Sequence, residues 1–256
     1  MSFSPSLKAA VVAVVLTAGP SVVLADTALV AVAANFADVA ETLSPMFTAA
    51  TGHDLTLTIG STGKLYAQIG EGAPFDVLLS ADAKTPAKLE EEGKAVAGSR
   101  FTYAIGQLAL YSANPESVGA DGKAALDNPD LRFIAIANPD LAPYGVAARE
   151  AMQTMGLWDA LFPKIVMGQN IGQTFSLVST GAAEVGFVAL SAVKVPGKAP
   201  TGSYWQVPQE MFTPIRQDAV LLTAGEANPA AAAFLDFLKS PEARQVIVSY
   251  GYGVGH

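Results

Sequence analysis

Residues 29–36 read Leu-Val-Ala-Val-Ala-Ala-Asn-Phe, an apolar run that stops at one polar residue and leads into the amphipathic stretch Phe36–Thr51. A short apolar run bounded by small and polar residues predicts a buried strand, and the periodic stretch after it predicts a helix that Gly52 stops. Pro45 falls inside that helix, where a kink is expected. The same rhythm continues, with a strand at Leu55–Ile59, a helix at Lys64–Glu71, a strand at Val77–Leu79, and a helix opened by Pro86 and ending near Gly93. Strands alternating with helices in this order predict a parallel sheet with helices on both faces.

The remaining chain repeats the scheme. Strands are expected at Ile105–Tyr111, Phe133–Ala137, Lys164–Met167, Val185–Leu190 and Ala219–Thr223. Helices are expected at Gly145–Met155, Gly172–Thr180, Pro229–Leu238 and Pro241–Tyr250, the last two with proline in the first turn. Val195–Thr213 is rich in Pro and Gly and reads as loop. No short-period repeat is present, which argues against a solenoid. Two similar α/β lobes follow, with residues 26–104 plus 217–256 expected in one and 105–216 in the other.

Ahead of this region, Lys8 precedes the apolar run Ala9–Leu16, and Val23-Leu24-Ala25 places small residues before Asp26. That pattern predicts a cleavable signal peptide over residues 1–25 and export to a soluble compartment, the periplasm fitting best. Gly19-Pro20 leaves the run short of the roughly 20 residues that span a bilayer. The 256-residue chain has no cysteine, so neither disulfides nor a lipid anchor on a mature N-terminal cysteine are expected. The formal net charge is −8, and loss of Lys8 with the signal makes it one unit more negative. With 15 Lys and Arg against 23 Asp and Glu, the chain has no basic footprint for nucleic acid.

Catalytic chemistry is poorly provided for. His53 and His256 are the two histidines, and there is no cysteine, which removes the usual zinc sites and a thiol nucleophile. No Gly-x-Ser-x-Gly elbow occurs. Gly60-Ser61-Thr62-Gly63-Lys64 departs from a nucleotide phosphate loop at two positions, Thr58 where its first glycine belongs and Leu65 where a magnesium-binding hydroxyl belongs. Glu90, Glu91 and Glu92 fall on one helix and read as a solvated face. The chain is therefore expected to be a binder rather than an enzyme, with no cofactor.

Four segments instead place small or hydroxyl residues between a strand end and a helix start: Ala34-Asn35, Ser61-Thr62-Gly63, Pro143-Tyr144-Gly145 and Asn170-Ile171-Gly172. Open α/β sheets bind ligands at such strand ends. Each helix start offers unpaired N–H groups and about half a positive charge, so four converging nearly offset a dianion. Taken singly, each segment is also an ordinary helix cap. Together they make a donor-rich, carboxylate-free set suited to a fully deprotonated oxyanion.

At these residues the chain resembles the periplasmic molybdate-binding proteins of ABC importers, which have the type II solute-binding fold. The resemblance spans nearly the whole mature chain. Its carriers are residues 32–36, Gly60–Ile69, Gly72–Asp82 with its Ser80-Ala81-Asp82 ending, Ala137-Asn138-Pro139 with Pro143-Tyr144-Gly145, Gly181–Leu190 and Phe237–Ala243. It implies two lobes, each a mixed, mostly parallel sheet flanked by helices, with the ligand cleft between them. It also implies molybdate and tungstate as ligands, a membrane permease as partner, and a monomer. The family's ligand contacts carry over to Asn35, to Thr62 with Ser61 beside it, and to Tyr144 and Ile171. Asn35 stands where serine is frequent, adding a donor and an acceptor. Ala189 stands where some members place a tyrosine hydroxyl, and Tyr144 is the candidate to replace it. Sulfate or phosphate as cargo, or a ligand-sensing subunit of a membrane receptor, are the alternative readings.

Overall fold

The first strand, β1 (Thr27–Ala33), shows why its run is unbroken: Val30 and Val32 enter one core and Ala31 another, on opposite faces of one sheet. Side chains alternate across a strand, so a sheet covered on both faces needs apolar residues at every position. The computed structural model describes Met1 and residues 25–254. The expected signal segment, apart from its two ends, lies outside the described residues.

After β1 the chain runs through α1 (Ala37–Thr51), β2 (Asp54–Gly60), α2 (Thr62–Gly70), β3 (Val77–Leu79), α3 (Lys84–Glu91), β4 (Phe101–Gly106) and β5 (Leu108–Ser112). It continues through α4 (Gly122–Leu126), β6 (Ile134–Ala137), α5 (Pro143–Thr154), α6 (Trp158–Leu161), β7 (Ile165–Gly168), α7 (Ile171–Ser179), β8 (Val185–Ala189) and α8 (Leu190–Val193). The last elements are β9 (Ser203–Gln206), β10 (Ile215–Leu221), α9 (Pro229–Leu238) and α10 (Pro241–Ser249). Helix α1 contains Pro45 and ends where Gly52, at φ 78°, donates its N–H to Thr48 O. A left-handed residue at that position caps the helix, and glycine adopts it without steric cost.

Two five-stranded sheets result, ordered β2-β1-β3-β10-β4 and β7-β6-β8-β5-β9. Each is mixed: β1 pairs in parallel with β2 and β3, and β6 with β7 and β8, while β10 and β5 run antiparallel to their neighbours. In the first lobe, Phe36, Leu43, Phe47 and Phe234 pack on one face of the sheet, and Leu65, Ile69 and Leu89 on the other. In the second, α5 supplies Ala148 and Met152 to one face, and α7 supplies Val178 to the other.

Three expectations need correction. The strand read as Ile105–Tyr111 is two strands in different sheets, β4 ending at Gly106 and β5 starting at Leu108. Only Gly106-Gln107 interrupts the run, too short a break to separate two strands by hydropathy alone. Val195–Thr213 is not all loop; β9 lies within it and pairs with β5 as an edge strand. The short helices α4, α6 and α8 were not anticipated. The chain thus crosses between sheets at Gln107 and returns between Gln206 and Ile215. Beside the crossing, Ile105–Gly106 pairs with Ile215–Arg216, and Ile105 exchanges two backbone hydrogen bonds with Gly253.

Candidate functional site

Helices α2, α5 and α7 all begin at the strand ends facing the cleft, and the first residues of each come together there. Ala33 ending β1 with Ala34 and Asn35 after it, Ser61 and Thr62 after β2, Pro143 and Tyr144 opening α5, and Asn170 and Ile171 opening α7 line one small space. Ala81 and Ala142 complete its wall, and the space measures about 190 Å³ including its open mouth. All five residues singled out from the sequence line it, and no charged side chain does. Main-chain N–H groups in a first helical turn have no intrahelical acceptor, and Thr62, Tyr144 and Ile171 each occupy such a turn.

Capping separates these segments. Ser61 is the N-cap of α2, yet its hydroxyl makes no capping hydrogen bond, and among the described residues it has no other partner. It is nonetheless only 4% exposed. Asn170 does cap α7, its Oδ1 accepting from Gln173 N at 2.9 Å. Thr62 Oγ1 accepts from Ala81 N at 3.1 Å, which fixes its rotamer and leaves its proton free to be donated. Asp82, at the end of the Ser-Ala-Asp segment, is occupied in holding the start of α3, accepting from Thr85 N at 2.7 Å.

The lobes touch directly beside this space. Gly63 N donates to Leu141 O across the cleft at 2.9 Å, and a Cβ on Gly63 would sit 3.1 Å from that oxygen. Gly145 is tighter still: a Cβ there would lie 2.2 Å from Ala137 O, so only glycine lets the start of α5 settle on the end of β6.

Behind the space is a buried polar network that the sequence reading missed. Asn35 Nδ2 donates to Gln217 Oε1 at 2.8 Å and to the Tyr252 hydroxyl at 3.1 Å. Gln217 Nε2 donates to the Tyr144 hydroxyl at 3.3 Å, and the Tyr103 hydroxyl donates to Gln217 Oε1 at 3.1 Å. The Tyr252 and Ser191 hydroxyls both reach Asn35 O, at 2.5 and 3.1 Å. Three links cross between lobes: Tyr144 to Gln217, Ser191 to Asn35 and Ser191 to Tyr252. Burial, the largest cause in each case, pushes Tyr103, Tyr144 and Tyr252 well above the ordinary tyrosine value, so all three hydroxyls stay protonated. The Tyr144 hydroxyl is thus taken up by Gln217 next to Gly106; the group Tyr144 has left over is its main-chain N–H. The one signal for Gln217 in the sequence is a polar stretch, Arg216-Gln217-Asp218, inside a strand that is otherwise apolar. Asp218 itself is held by Arg100 at 2.7 Å and Thr102 at 2.7 Å.

Among the described residues no group of three or more His, Cys, Asp or Glu side chains is placed to hold a metal ion, and no helix is long and apolar enough to cross a membrane. Fold and site together define a two-lobed binding protein whose cleft presents uncharged hydrogen-bond donors. The chain belongs to the bacterial extracellular solute-binding protein family, which matches residues 28–253. It is 49% identical over 251 residues to the molybdate-binding protein ModA of Rhodobacter capsulatus, covering 98% of each chain. With the ModA of Azotobacter vinelandii it shares 51% over 225 residues, covering 88% of this chain and 89% of that one. The solved structure of the periplasmic molybdate-binding protein of Azotobacter vinelandii superimposes with a TM-score of 0.87 at 40% identity, covering 90% of this chain and all of the other. A sulfate-binding protein of Mycobacterium tuberculosis shares the fold at 16% identity and a TM-score of 0.68.

Proposed function

We infer that the chain captures molybdate, and tungstate with it, in the cleft between its lobes and delivers the anion to the permease of an ABC importer. The observation that carries this reading is the meeting of Asn35, Ser61, Thr62, Tyr144 and Ile171 around one small space without a charged side chain. The two ModA relatives near 50% identity support molybdate as the cargo. Hydroxyls from the first lobe and first-turn N–H groups from the second stabilise a dianion by fixed dipoles in a dry cleft. The first-turn N–H groups only donate, and no carboxylate lines the space to accept a proton, which favours an oxyanion that carries none.

Residues 26–104 plus 217–256 and residues 105–216 are the two closing bodies, and the short paired segment Ile105–Gly106 with Ile215–Arg216 is the hinge between them. Only contacts made in the closed form drive closure, and an anion bridging Thr62 and Ile171 supplies them. The protein acts as a monomeric carrier and not an enzyme, in the periplasm, after removal of residues 1–25 and without a lipid anchor, since no cysteine is present to carry one. Its acidity leaves nucleic acid no place as a partner.

Calorimetric titration with molybdate, tungstate, sulfate and phosphate tests the reading. Tight 1:1 binding of the first two with little heat from the others is expected, because cavity size separates tetrahedral dianions that charge does not. Silence from all four anions overturns it.

A further inference from the structure

Asn35 Oδ1 is buried and has no hydrogen-bond partner among the described residues, although the nitrogen of the same amide donates twice. A stranded buried carbonyl is costly, and this one belongs to a residue that lines the cleft. Turning the Asn35 amide alone offers no relief, because it brings Oδ1 within 2.8 Å of Gln217 Oε1, acceptor against acceptor. Turning both amides together removes that clash, at the cost of the Asn35 bond to Tyr252, whose own proton is given to Asn35 O. Gln217 Nε2 then donates to Asn35 Oδ1 and to the Tyr103 hydroxyl, and Gln217 Oε1 accepts from the Tyr144 hydroxyl. Tyr103 keeps its own acceptor, Ser80 O at 3.1 Å. Asn35 Nδ2 becomes the group left over, on a residue that lines the same space as Ser61, Thr62 and Ile171.

We propose that Gln217 is a positioning residue that sets whether Asn35 presents a donor or an acceptor to the cleft. Gln217 is fully buried and lines none of the space itself, so it acts only through its neighbours. With its oxygen toward Asn35 the cleft receives Oδ1, which suits an anion that still carries a proton, such as monohydrogen phosphate. With its nitrogen toward Asn35 the cleft receives Nδ2, which suits a fully deprotonated dianion. The Tyr144 hydroxyl, on the opposite lobe, changes from acceptor to donor as the pair turns, so the choice is linked to the contact between lobes. This inference rests on the oxyanion reading and adds to it a source of selectivity besides size.

The test uses the isotope-labelled protein saturated with molybdate. Nuclear Overhauser contacts from the Gln217 side-chain amide protons are expected to reach the Tyr103 ring and not the Tyr144 ring; contacts to Tyr144 instead overturn the proposal. In a second arm, Gln217→Met removes the constraint with little change of volume. Competition titrations are expected to show the molybdate-to-phosphate affinity ratio falling at least tenfold, a readout that a purely structural role does not move. An unchanged ratio in a folded variant overturns the proposal while leaving molybdate capture standing. Absence of oxyanion binding by the unaltered protein removes both.

Discussion

The two lobes repeat one strand arrangement yet address the cleft by different means. In each, one strand (β1 or β6) is flanked by two parallel partners, and beyond them come a single reversed strand (β10 or β5) and an edge strand (β4 or β9). In the first lobe the segments after β1 and β2 bring side chains to the site: the Asn35 amide and the Ser61 and Thr62 hydroxyls. In the second, the starts of α5 and α7 bring main-chain N–H groups, while the side chains there are spent elsewhere, Tyr144 on Gln217 and Asn170 on its own helix. A site half built from side chains is sensitive to residue identity on that half. The other half is sensitive only to where the backbone sits.

The sharpest way to break this contrast is Gly145→Ala. The new methyl meets the backbone of Ala137 and Asn138 at 2.2–2.9 Å, so α5 must shift bodily and take its N–H groups with it. Overpacking usually costs about 1–3 kcal/mol, and rigid backbone on the far side puts this site at the upper end. For a chain of this size that predicts a melting temperature lower by roughly 6–12 °C. Molybdate affinity is expected to fall by more than the Thr62 variant below. A variant with native melting and native affinity, by differential scanning and isothermal calorimetry, disproves the close-packing argument.

A matched pair of conservative changes sharpens the comparison. Thr62→Val keeps the shape and removes the hydroxyl. The loss of one hydrogen bond to a charged group, about 1.5–3 kcal/mol, predicts roughly tenfold to hundredfold weaker molybdate binding. Ile171→Val alters a buried side chain whose proposed contribution is its N–H. Stability is expected to fall by about 0.5–1.5 kcal/mol, with affinity within about twofold. Equal losses of affinity in the two variants contradict the division between side-chain and main-chain halves.

How far the sequence revealed this molecule follows from the same division. The strands and helices around β1 were legible because two-sided burial writes an unbroken apolar run, and because Gly52 and the helix-opening prolines punctuate it. The site segments were legible because a hydroxyl or amide between a strand and a helix is a local signal. The lobe crossing at Gln107 was not: one glycine and one glutamine between two largely apolar strands make too short a break to mark where the chain changes sheet. β9 was hidden because Gly and Pro surround it and its membership in the sheet rests on backbone pairing with β5. Gln217 was hidden for a different reason. Its importance lies in what it touches, Asn35 and Tyr144, which are 182 and 73 residues away in the chain. No local pattern encodes a contact at that separation.

The smallest expected effect concerns pH, and it tests whether the network behind the two halves is held neutral. Burial raises Tyr103, Tyr144 and Tyr252 above the ordinary value of 10.0, whereas in the unfolded chain they ionise near that value. The folded state therefore holds protons that the unfolded state gives up, and stability falls as pH rises where the unfolded chain binds fewer protons. The contribution of these three residues is fully present below about pH 10 and is lost as pH climbs from there toward their folded values. Within the neutral range nothing in the network titrates, since its other members are amides and aliphatic hydroxyls. Molybdate affinity is expected to stay within about twofold from pH 7 to pH 9, and thermal stability to decline only above pH 10. A midpoint in affinity near pH 8 would show that one of these tyrosines ionises readily. That result would place water in the space between the lobes where the structure packs Tyr144 against Gln217, and the link between the side-chain and main-chain halves would have to be redrawn.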